Sequence, residues 1–276
     1  MEKRLDGDDF RMKDYSIILA ADLPSTEQVL SLVKEVAPFV DGLKIGVPTL
    51  LQSGVDILCR FSDMIGEKPM LIDLKVADIG LFSRGRWKGT NSKIISKLAG
   101  TGTTHVTVHG FPGPSSIAEA VNTAHEAGIQ VLLLPTMSHP GAELFFSHSF
   151  SNVILEKVSG SEIFRDKTNL SCAGDITEAI LMLGEALNVD GYIGPATKPD
   201  DLQKYREISS RQIWCPGFGR QDRLGRGIDQ QLAAWAKIVG PNSAAIVGSL
   251  IFEADSPKDA ADELRKTRDS ILAGLK

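Results

Sequence analysis

The sequence contains little that would suit a secreted or membrane-spanning protein. Its three cysteines, Cys59, Cys172 and Cys215, lie far apart and form no CxxC pair, so neither a disulfide framework nor a cysteine metal site is expected. No apolar run approaches the roughly 18 residues needed to cross a bilayer. The first segment, "MEKRLDGDDFRMKDY", is charged throughout and lacks the apolar centre of a signal peptide. We therefore expect a cytoplasmic protein with reduced thiols and no membrane partner.

An excess of positive charge is also absent. The formal net charge is −5, whereas nucleic-acid-binding domains are usually basic. We therefore expect no nucleic-acid partner, although anionic small molecules remain suitable ligands. With 276 residues, 42% hydrophobic and 24% charged, the composition is typical of a soluble protein that builds one large core.

Eight short aliphatic runs alternate with segments of helical periodicity. The runs are 16–23, 42–48, 68–78, 104–111, 128–137, 189–196, 211–219 and 243–252. Between them, Ser25 and Ser256 are predicted N-caps, Pro257 a first helical residue and Gly128 a C′ residue. Strands that alternate with helices indicate parallel pairing, and eight such units predict a (β/α)₈ TIM barrel, of class α/β. A doubly wound sheet is the main competitor, but "LAADLPSTE" lacks its glycine-rich turn.

Two segments interrupt this alternation. Residues 80–89 and 147–175 both exceed the roughly 2 to 6 residues of ordinary βα loops. We interpret them as functional loops, lids or local decorations. No linker composition separates a second domain, so we expect a single barrel domain over residues 1–276.

Charged residues gather near the predicted C-terminal ends of the first three strands, where barrel enzymes build their active sites. Asp22 and Lys44 follow the first two strands, and Asp73, Lys75 and Asp78 lie in "LIDLKVADIG". Because side chains alternate along a strand, Asp73 and Lys75 are expected to share one face. Desolvated single charges are costly, so lysines and aspartates must neutralise one another there. A structural salt bridge would explain any one residue, but the whole set favours an active site.

This constellation resembles the orotidine 5′-phosphate decarboxylase family, particularly its archaeal form. The matching segments are "LAADL", "GLKIG", "DLKVADI", "VHGFPG", "TMSHPGAE", "YIGPATKP", "PGFG" and "AIVG". The D-x-K-x-x-D element is shared with sister sugar-phosphate enzymes, whereas "MSHPGAE" is more specific. The resemblance implies a homodimeric lyase with shared active sites that converts orotidine 5′-phosphate to uridine 5′-phosphate in pyrimidine biosynthesis.

The resemblance also implies a role for each charged residue. Asp73 would lie against the substrate carboxylate and strain it electrostatically, while Lys75 stabilises the carbanion at C6 and then protonates it. Lys44 and Asp78 would complete the array, with Asp78 supplied across the dimer interface. No cofactor and no metal are implied, because fixed charges can stabilise the transition state by themselves.

A nucleotide-binding set follows from the same resemblance. Asp22, and Thr90 of the partner subunit, match positions that bind ribose hydroxyls. Ser138 matches the contact to the pyrimidine amide, and Pro195 the wall of the base pocket. Gln221 matches the flexible loop that spans phosphate and base. For Ser138 and Thr90 considered alone, a turn or a helix cap is the better explanation.

The sequence departs from the family pattern after the eighth strand. The family has "VGR", whose arginine clamps the phosphate, but here Gly248 is followed by Ser249. A neutral hydroxyl cannot replace the charge-assisted hydrogen bonds of an arginine, which contribute about 1.5 to 3 kcal/mol. Arg220 and Arg223 in "GFGRQDRLGRG" are our candidates for the missing phosphate contact. Further candidates in the 80–89 insertion are Arg84, Arg86 and Lys88.

Other functions stay open at this point. Hexulose-phosphate synthases and keto-gulonate-phosphate decarboxylases hold Mg²⁺ with an acidic ligand after the second strand, where this chain has Lys44, which would repel the cation. Ser249 and the two insertions also fit a paralogue with another phosphorylated substrate. A non-catalytic nucleotide-binding paralogue is the third alternative, although it has little reason to keep paired charges.

Overall fold

We describe the fold from a computed structural model, which covers residues 13–149, 173–219 and 225–275. The strands are β1 (Ser16–Ala20), β2 (Gly42–Gly46), β3 (Met70–Val76), β4 (Phe82–Ser83), β5 (Arg86–Trp87), β6 (His105–His109), β7 (Gln130–Leu134), β8 (Gly191–Ile193), β9 (Gln212–Pro216) and β10 (Ser243–Val247). Strands β4 and β5 form a separate hairpin, and the others close into a barrel in the order β1-β10-β9-β8-β7-β6-β3-β2. All eight predicted runs are barrel strands, and the predicted (β/α)₈ barrel is confirmed.

The helices are α1 (Thr26–Val36), α2 (Val47–Ser53), α3 (Ile57–Ile65), α4 (Thr90–Ile95), α5 (Pro114–Glu126), α6 (Glu143–Phe146), α7 (Ile176–Ala186), α8 (Pro199–Ile208), α9 (Ile228–Val239), α10 (Ser249–Phe252) and α11 (Pro257–Leu275). Their ends follow the predicted signals. Ser25 caps α1 in a reciprocal capping box with Gln28. Gly128, at φ 70°, follows α5, and the Ser256 hydroxyl accepts the Asp259 N–H at the start of α11. Within the described ranges, no helix combines the length and the apolar character needed to cross a membrane.

The strands pack against two apolar clusters, one between the strands and the helices and one inside the barrel. Along β1, Ile17 and Leu19 pack with the helices, whereas Ile18 and Ala20 join a smaller cluster that we assign to the barrel interior. That interior cluster also contains Leu71, Leu132, Leu134, Ile193, Trp214, Ala244 and Ile246. It fills the barrel below the charged residues, which therefore lie at the C-terminal mouth.

Strand β3 is irregular where it approaches that mouth. Ile72 lies opposite Val106 and Val76 lies opposite Val108, so residues 73–75 face Thr107 alone on β6. Lys75 adopts φ 49°, in the left-handed region that non-glycine residues avoid. Bulges of this kind bend a strand and redirect its side chains. The bulge therefore sets the direction of the residues that the sequence marks as catalytic.

The 80–89 insertion contributes the β4–β5 hairpin, which packs on α5. A Cβ at Gly80 would lie 2.0 Å from the Ser115 carbonyl oxygen, so only glycine allows this approach. The Glu119 side chain on α5 is fully buried, and its carboxylate accepts N–H bonds from Leu81 at 2.8 Å and Ser92 at 3.1 Å. One carboxylate on α5 therefore binds the residue before the hairpin and the first turn of α4 after it.

The second insertion is described only at its two ends. Ser149 pairs with Asp175 in an antiparallel bridge, and residues 150–172 lie outside the described ranges. Lys204 on α8 lies 3.0 Å from Asp175 and 3.3 Å from Glu178. The end of this insertion is therefore fixed to the helical layer beside the barrel.

Candidate active site

A cavity of about 370 Å³ opens at the C-terminal ends of the barrel strands. It gathers residues that the sequence predicted separately: Asp22, Lys44, Asp73, Lys75, Ser138, Pro195, Gly248 and Ser249. Barrel enzymes bind and transform their substrates at this end. Four of the five predicted charged residues, the predicted base positions Ser138 and Pro195, and Gly248 with Ser249 therefore share one cavity.

The charged side chains alternate in sign across the cavity floor. The Lys44 Nζ lies 2.6 Å from Asp22 and 3.4 Å from Asp73. The Lys75 Nζ lies 2.8 and 2.7 Å from the two oxygens of Asp73. A Cβ at Gly46 would lie 2.5 Å from the Asp22 carboxylate, so glycine at the end of β2 leaves room for it. Each ammonium is therefore matched by a carboxylate.

Asp73 is the centre of this array. Burial by itself raises the pKa of the Asp73 carboxyl, but the ammonium groups of Lys44 and Lys75, with hydrogen bonds from Lys75 and Thr107, outweigh it and lower that pKa. Opposite charges and donated hydrogen bonds favour the ionised form of an acid. Asp73 is therefore a carboxylate at neutral pH, in a site where little solvent screens its charge.

Asp78 and Thr90 do not line this cavity. The Asp78 backbone is held by Asn91, whose Oδ1 accepts its N–H at 3.1 Å and whose Nδ2 donates to its carbonyl at 2.9 Å. Thr90 is the first residue of α4 and directly precedes Asn91. The chain alone thus brings three of the four predicted catalytic residues together, and leaves Asp78 and Thr90 outside the cavity lining.

The end of the cavity that lies beyond β9 and β10 is neutral in its described residues. It is formed by Gly217, Phe218, Gly248, Ser249 and Phe252. Among the described residues that line the cavity, the cationic side chains are Lys44 and Lys75, both engaged with carboxylates. The insertion candidates Arg84, Arg86 and Lys88 do not line it. Arg220, Gln221 and Arg223 lie outside the described ranges.

Two histidines lie near this mouth, His109 at the end of β6 and His139 after β7. Burial, with a smaller contribution from the Lys75 charge, lowers the pKa of His109 to about 4. Its Nδ1 accepts the Phe111 N–H at 3.4 Å, and its ring stacks on Phe146 at 5.8 Å between centroids. His139 is exposed. Across residues 13–149, 173–219 and 225–275, no group of three potential metal ligands is found.

Several cavity residues were missed by sequence reasoning. They are Ala20, Leu71, Thr107, Leu134, Thr136, Met137, Ile193, Pro216, Gly217, Phe218, Ile246 and Phe252. Pro216 ends β9 directly before "GFG" and lines the cavity together with Pro195. The rule that side chains alternate on strands would have found Thr107, because it lies two residues before His109 on β6.

Comparisons with known proteins agree with this geometry. The family described as "Orotidine 5′-phosphate decarboxylase / HUMPS family" matches residues 15–264. An orotidine 5′-phosphate decarboxylase of Methanosarcina mazei is 29% identical over 267 residues, 95% of this chain and 99% of that protein. One from Methanosarcina barkeri is 30% identical over 254 residues, 91% of this chain and 94% of that protein.

A solved structure shows the same similarity in three dimensions. The orotidine 5′-monophosphate decarboxylase of Methanocaldococcus jannaschii, complexed with the inhibitor BMP, superposes with a TM-score of 0.70 at 26% sequence identity. The superposition covers 93% of this chain and 99% of that chain. The chain belongs to the orotidine 5′-phosphate decarboxylase / HUMPS family.

Proposed function

We propose that this protein is a carboxy-lyase that converts orotidine 5′-phosphate to uridine 5′-phosphate and CO₂ in pyrimidine biosynthesis, without a cofactor. The observation that carries the proposal is the array of Lys44, Asp73 and Lys75 on the floor of the cavity. The names of its relatives support the same activity.

The array accounts for the bond that must break. With the substrate carboxylate placed beside Asp73, two like charges oppose each other in a site with little solvent, and the loss of neutral CO₂ relieves that repulsion. The bond between C6 and the carboxyl carbon breaks, and its electron pair remains on C6. The Lys75 ammonium stabilises this pair and then transfers a proton to C6. The neutral Lys75 amine then takes up a proton from water, so atoms and charges balance without an added oxidant, reductant or metal.

The remaining predicted residues fit the rest of a nucleotide. Asp22 is positioned to accept hydrogen bonds from ribose hydroxyls, since its side chain is 43% exposed beside Lys44. Ser138 and Pro195 line the cavity where a base would lie. For the phosphate we propose Gly248 and Ser249 together with Arg220, Gln221 and Arg223, the latter three on the sequence alone.

We further propose a cytoplasmic homodimer with shared active sites, in which Asp78 and Thr90 of one chain complete the cavity of the other. The absence of both residues from their own cavity supports this arrangement. Ile79 and Phe111, which follow β3 and β6 at the same end of the barrel, are 74% and 62% exposed. Large apolar side chains grouped at a rim are typical of an interaction surface.

Lys44 argues against the magnesium-dependent sugar-phosphate reactions of the sister enzymes. Its ammonium occupies the end of β2 and, with Lys75, places two positive charges on Asp73. A divalent cation seeks several uncompensated oxygen ligands, and it would be repelled at this position. The cofactor-free reaction therefore suits the charges better.

The decisive experiment follows the loss of orotidine 5′-phosphate absorbance on addition of purified protein in EDTA. We expect turnover by the wild type, loss of at least about 10³-fold in kcat for Lys75→Ala, and no change for Lys34→Ala, an exposed lysine on α1. Circular dichroism of each variant would verify folding. Absence of turnover by a folded wild-type dimer would reject the proposal and favour another phosphorylated substrate or a binding role.

A further inference from the structure

We propose that Thr107 is a positioning residue of this site, whose hydroxyl group fixes the Asp73 carboxylate relative to the Lys75 backbone. The inference rests on the proposed function, because it concerns the geometry of the same charge array. Thr107 lies on β6, lines the cavity and is 1% exposed.

The hydroxyl bridges two neighbouring catalytic residues. Thr107 Oγ1 accepts the backbone N–H of Lys75 at 2.8 Å and donates to Asp73 Oδ1 at 2.8 Å. The directions are fixed, since an amide N–H can only donate and an ionised carboxylate can only accept. The single proton of the hydroxyl is therefore directed at Asp73, and its oxygen at Lys75.

The bulge in β3 explains why a side chain is needed here. Residues 73–75 all lie opposite Thr107, so the regular exchange of backbone hydrogen bonds between β3 and β6 is interrupted. Lys75 also adopts φ 49°. Without the Thr107 hydroxyl, the partly buried N–H of Lys75 would lose this acceptor, and such losses are unfavourable. Thr107 thus supplies the hydrogen-bond acceptor that a backbone carbonyl of β6 would supply in a regular sheet, and it holds Lys75 in its strained conformation.

The same contact completes the set of donors around Asp73. Its carboxylate accepts from Lys75 through both oxygens, contacts Lys44 at 3.4 Å through Oδ2, and accepts from Thr107 through Oδ1. These partners together hold the carboxylate plane in one orientation. Catalytic groups need such support to stay within a fraction of an ångström of the productive geometry.

A matched pair of substitutions separates positioning from general stability. Thr107→Val keeps the shape but removes the hydroxyl, and Thr107→Ser keeps the hydroxyl. The control is Thr104→Val at the residue directly before the same strand, because the Thr104 hydroxyl also accepts a β3 backbone N–H, that of Met70, at 2.8 Å. Thr104 does not line the cavity, so its loss should affect stability without affecting the charge array.

With orotidine 5′-phosphate we expect Thr107→Val to lower kcat by about 10- to 100-fold, with KM changed less than about threefold. Thr107→Ser should recover most of kcat, and Thr104→Val should keep it. The acidic limb of the kcat profile should move to higher pH in Thr107→Val, since a hydrogen bond to the ionised Asp73 is lost. Unchanged kcat in folded Thr107→Val, or an equal loss in Thr104→Val, would overturn the positioning role.

Two measurements on the free protein decide the proposal even if the wild type does not act on orotidine 5′-phosphate. Amide hydrogen exchange at Lys75 should accelerate about 10- to 100-fold in Thr107→Val but not in Thr104→Val. A carbon-13 titration should show the Asp73 carboxyl protonating at higher pH in the first variant alone. Unchanged exchange and titration would reject the role of Thr107. Failure of turnover alone would reject only the proposed reaction.

Discussion

The Asp73 carboxylate contacts the Lys75 ammonium through both of its oxygens, at 2.8 and 2.7 Å. In the proposed reaction this carboxylate acts on the reacting group and holds the proton donor. We therefore expect Asp73→Asn to lower kcat by at least about 10²- to 10³-fold, with a smaller effect on KM. Steady-state kinetics with orotidine 5′-phosphate would measure both constants. If Asp73→Asn raised KM and lowered kcat/KM by the same factor while kcat stayed unchanged, this role would be contradicted.

Asp22 should behave differently, although it belongs to the same array. It contacts Lys44 at 2.6 Å, and its side chain is 43% exposed, compared with 15% for Asp73. A ribose contact contributes to the ground state and the transition state alike, and such uniform binding appears in KM. Asp22→Asn is expected to raise KM about tenfold with kcat reduced much less. A loss confined to kcat would place Asp22 with Asp73 instead.

Shared active sites give a quantitative test by subunit mixing. Asp78→Asn and Lys75→Ala homodimers should each be nearly inactive. In a mixed dimer, one of the two sites combines an intact Lys75 with an intact Asp78 of the partner subunit. After full exchange half of the dimers are mixed, so activity should return to about a quarter of the wild-type value.

The control for this experiment is a mixture of Lys75→Ala with Asp73→Asn. Both residues belong to one chain's cavity, so no mixed dimer regains a complete site and activity should stay low. If Asp78 acted within its own chain, the Asp78→Asn mixture would stay equally inactive, and the shared-site proposal would be wrong.

The sequence predicted the barrel and the location of its charges because both follow from simple periodicities. Alternating strands and helices specify the order of elements, and alternation along a regular strand predicts Asp73 and Lys75 on one side. It did not predict the bulge, since φ 49° at Lys75 depends on the partner strand β6 and on Thr107. The sequence did not predict the hairpin in residues 80–89 either, because its attachment to Glu119 is a contact between residues far apart in the chain.

Replacing Ser249 with arginine should improve substrate binding. Ser249 lies at the neutral end of the cavity beside Gly248 and Phe252, where we propose that the phosphate binds. A guanidinium there would add charge-assisted hydrogen bonds, so Ser249→Arg should lower KM for orotidine 5′-phosphate by about tenfold. The nucleoside orotidine should gain nothing, which isolates the phosphate contribution. Ser96→Arg, at an exposed serine, controls for added surface charge.

The proposed substitutes for this contact are tested by removal. Arg220→Ala and Arg223→Ala should each raise KM for orotidine 5′-phosphate while leaving orotidine unaffected, and Ser249→Arg should reverse the defect of whichever arginine binds the phosphate. Unchanged KM in both alanine variants would exclude these two residues. No effect of Ser249→Arg would show that the phosphate lies elsewhere.

We predict that the folded protein loses stability in mild acid because of His105. Burial lowers its pKa to about 4, whereas an unfolded histidine titrates near pH 6.5. Between these pH values the histidine is protonated in the unfolded chain but neutral in the folded protein. The free energy of unfolding therefore falls as pH drops from about 6.5 to about 4, by on the order of 3 kcal/mol. His109, with its pKa also lowered to about 4 by burial and by Lys75, adds a change of the same sign.

The contribution of His105 is separable by substitution. Its pKa is lowered, whereas the hydrogen bond to Asp190 raises the pKa of His125, so His125 gains its stabilising effect as pH falls to about 6.5 and adds no further change below that value. Urea unfolding at several pH values should show a shallower decline for His105→Asn than for the wild type, although the variant starts less stable. The decline that remains in His105→Asn should reflect His109. We therefore expect it to become smaller still in a His105→Asn, His109→Asn double variant. Parallel pH profiles in the wild type and in His105→Asn would show that His105 does not resist protonation in the folded barrel.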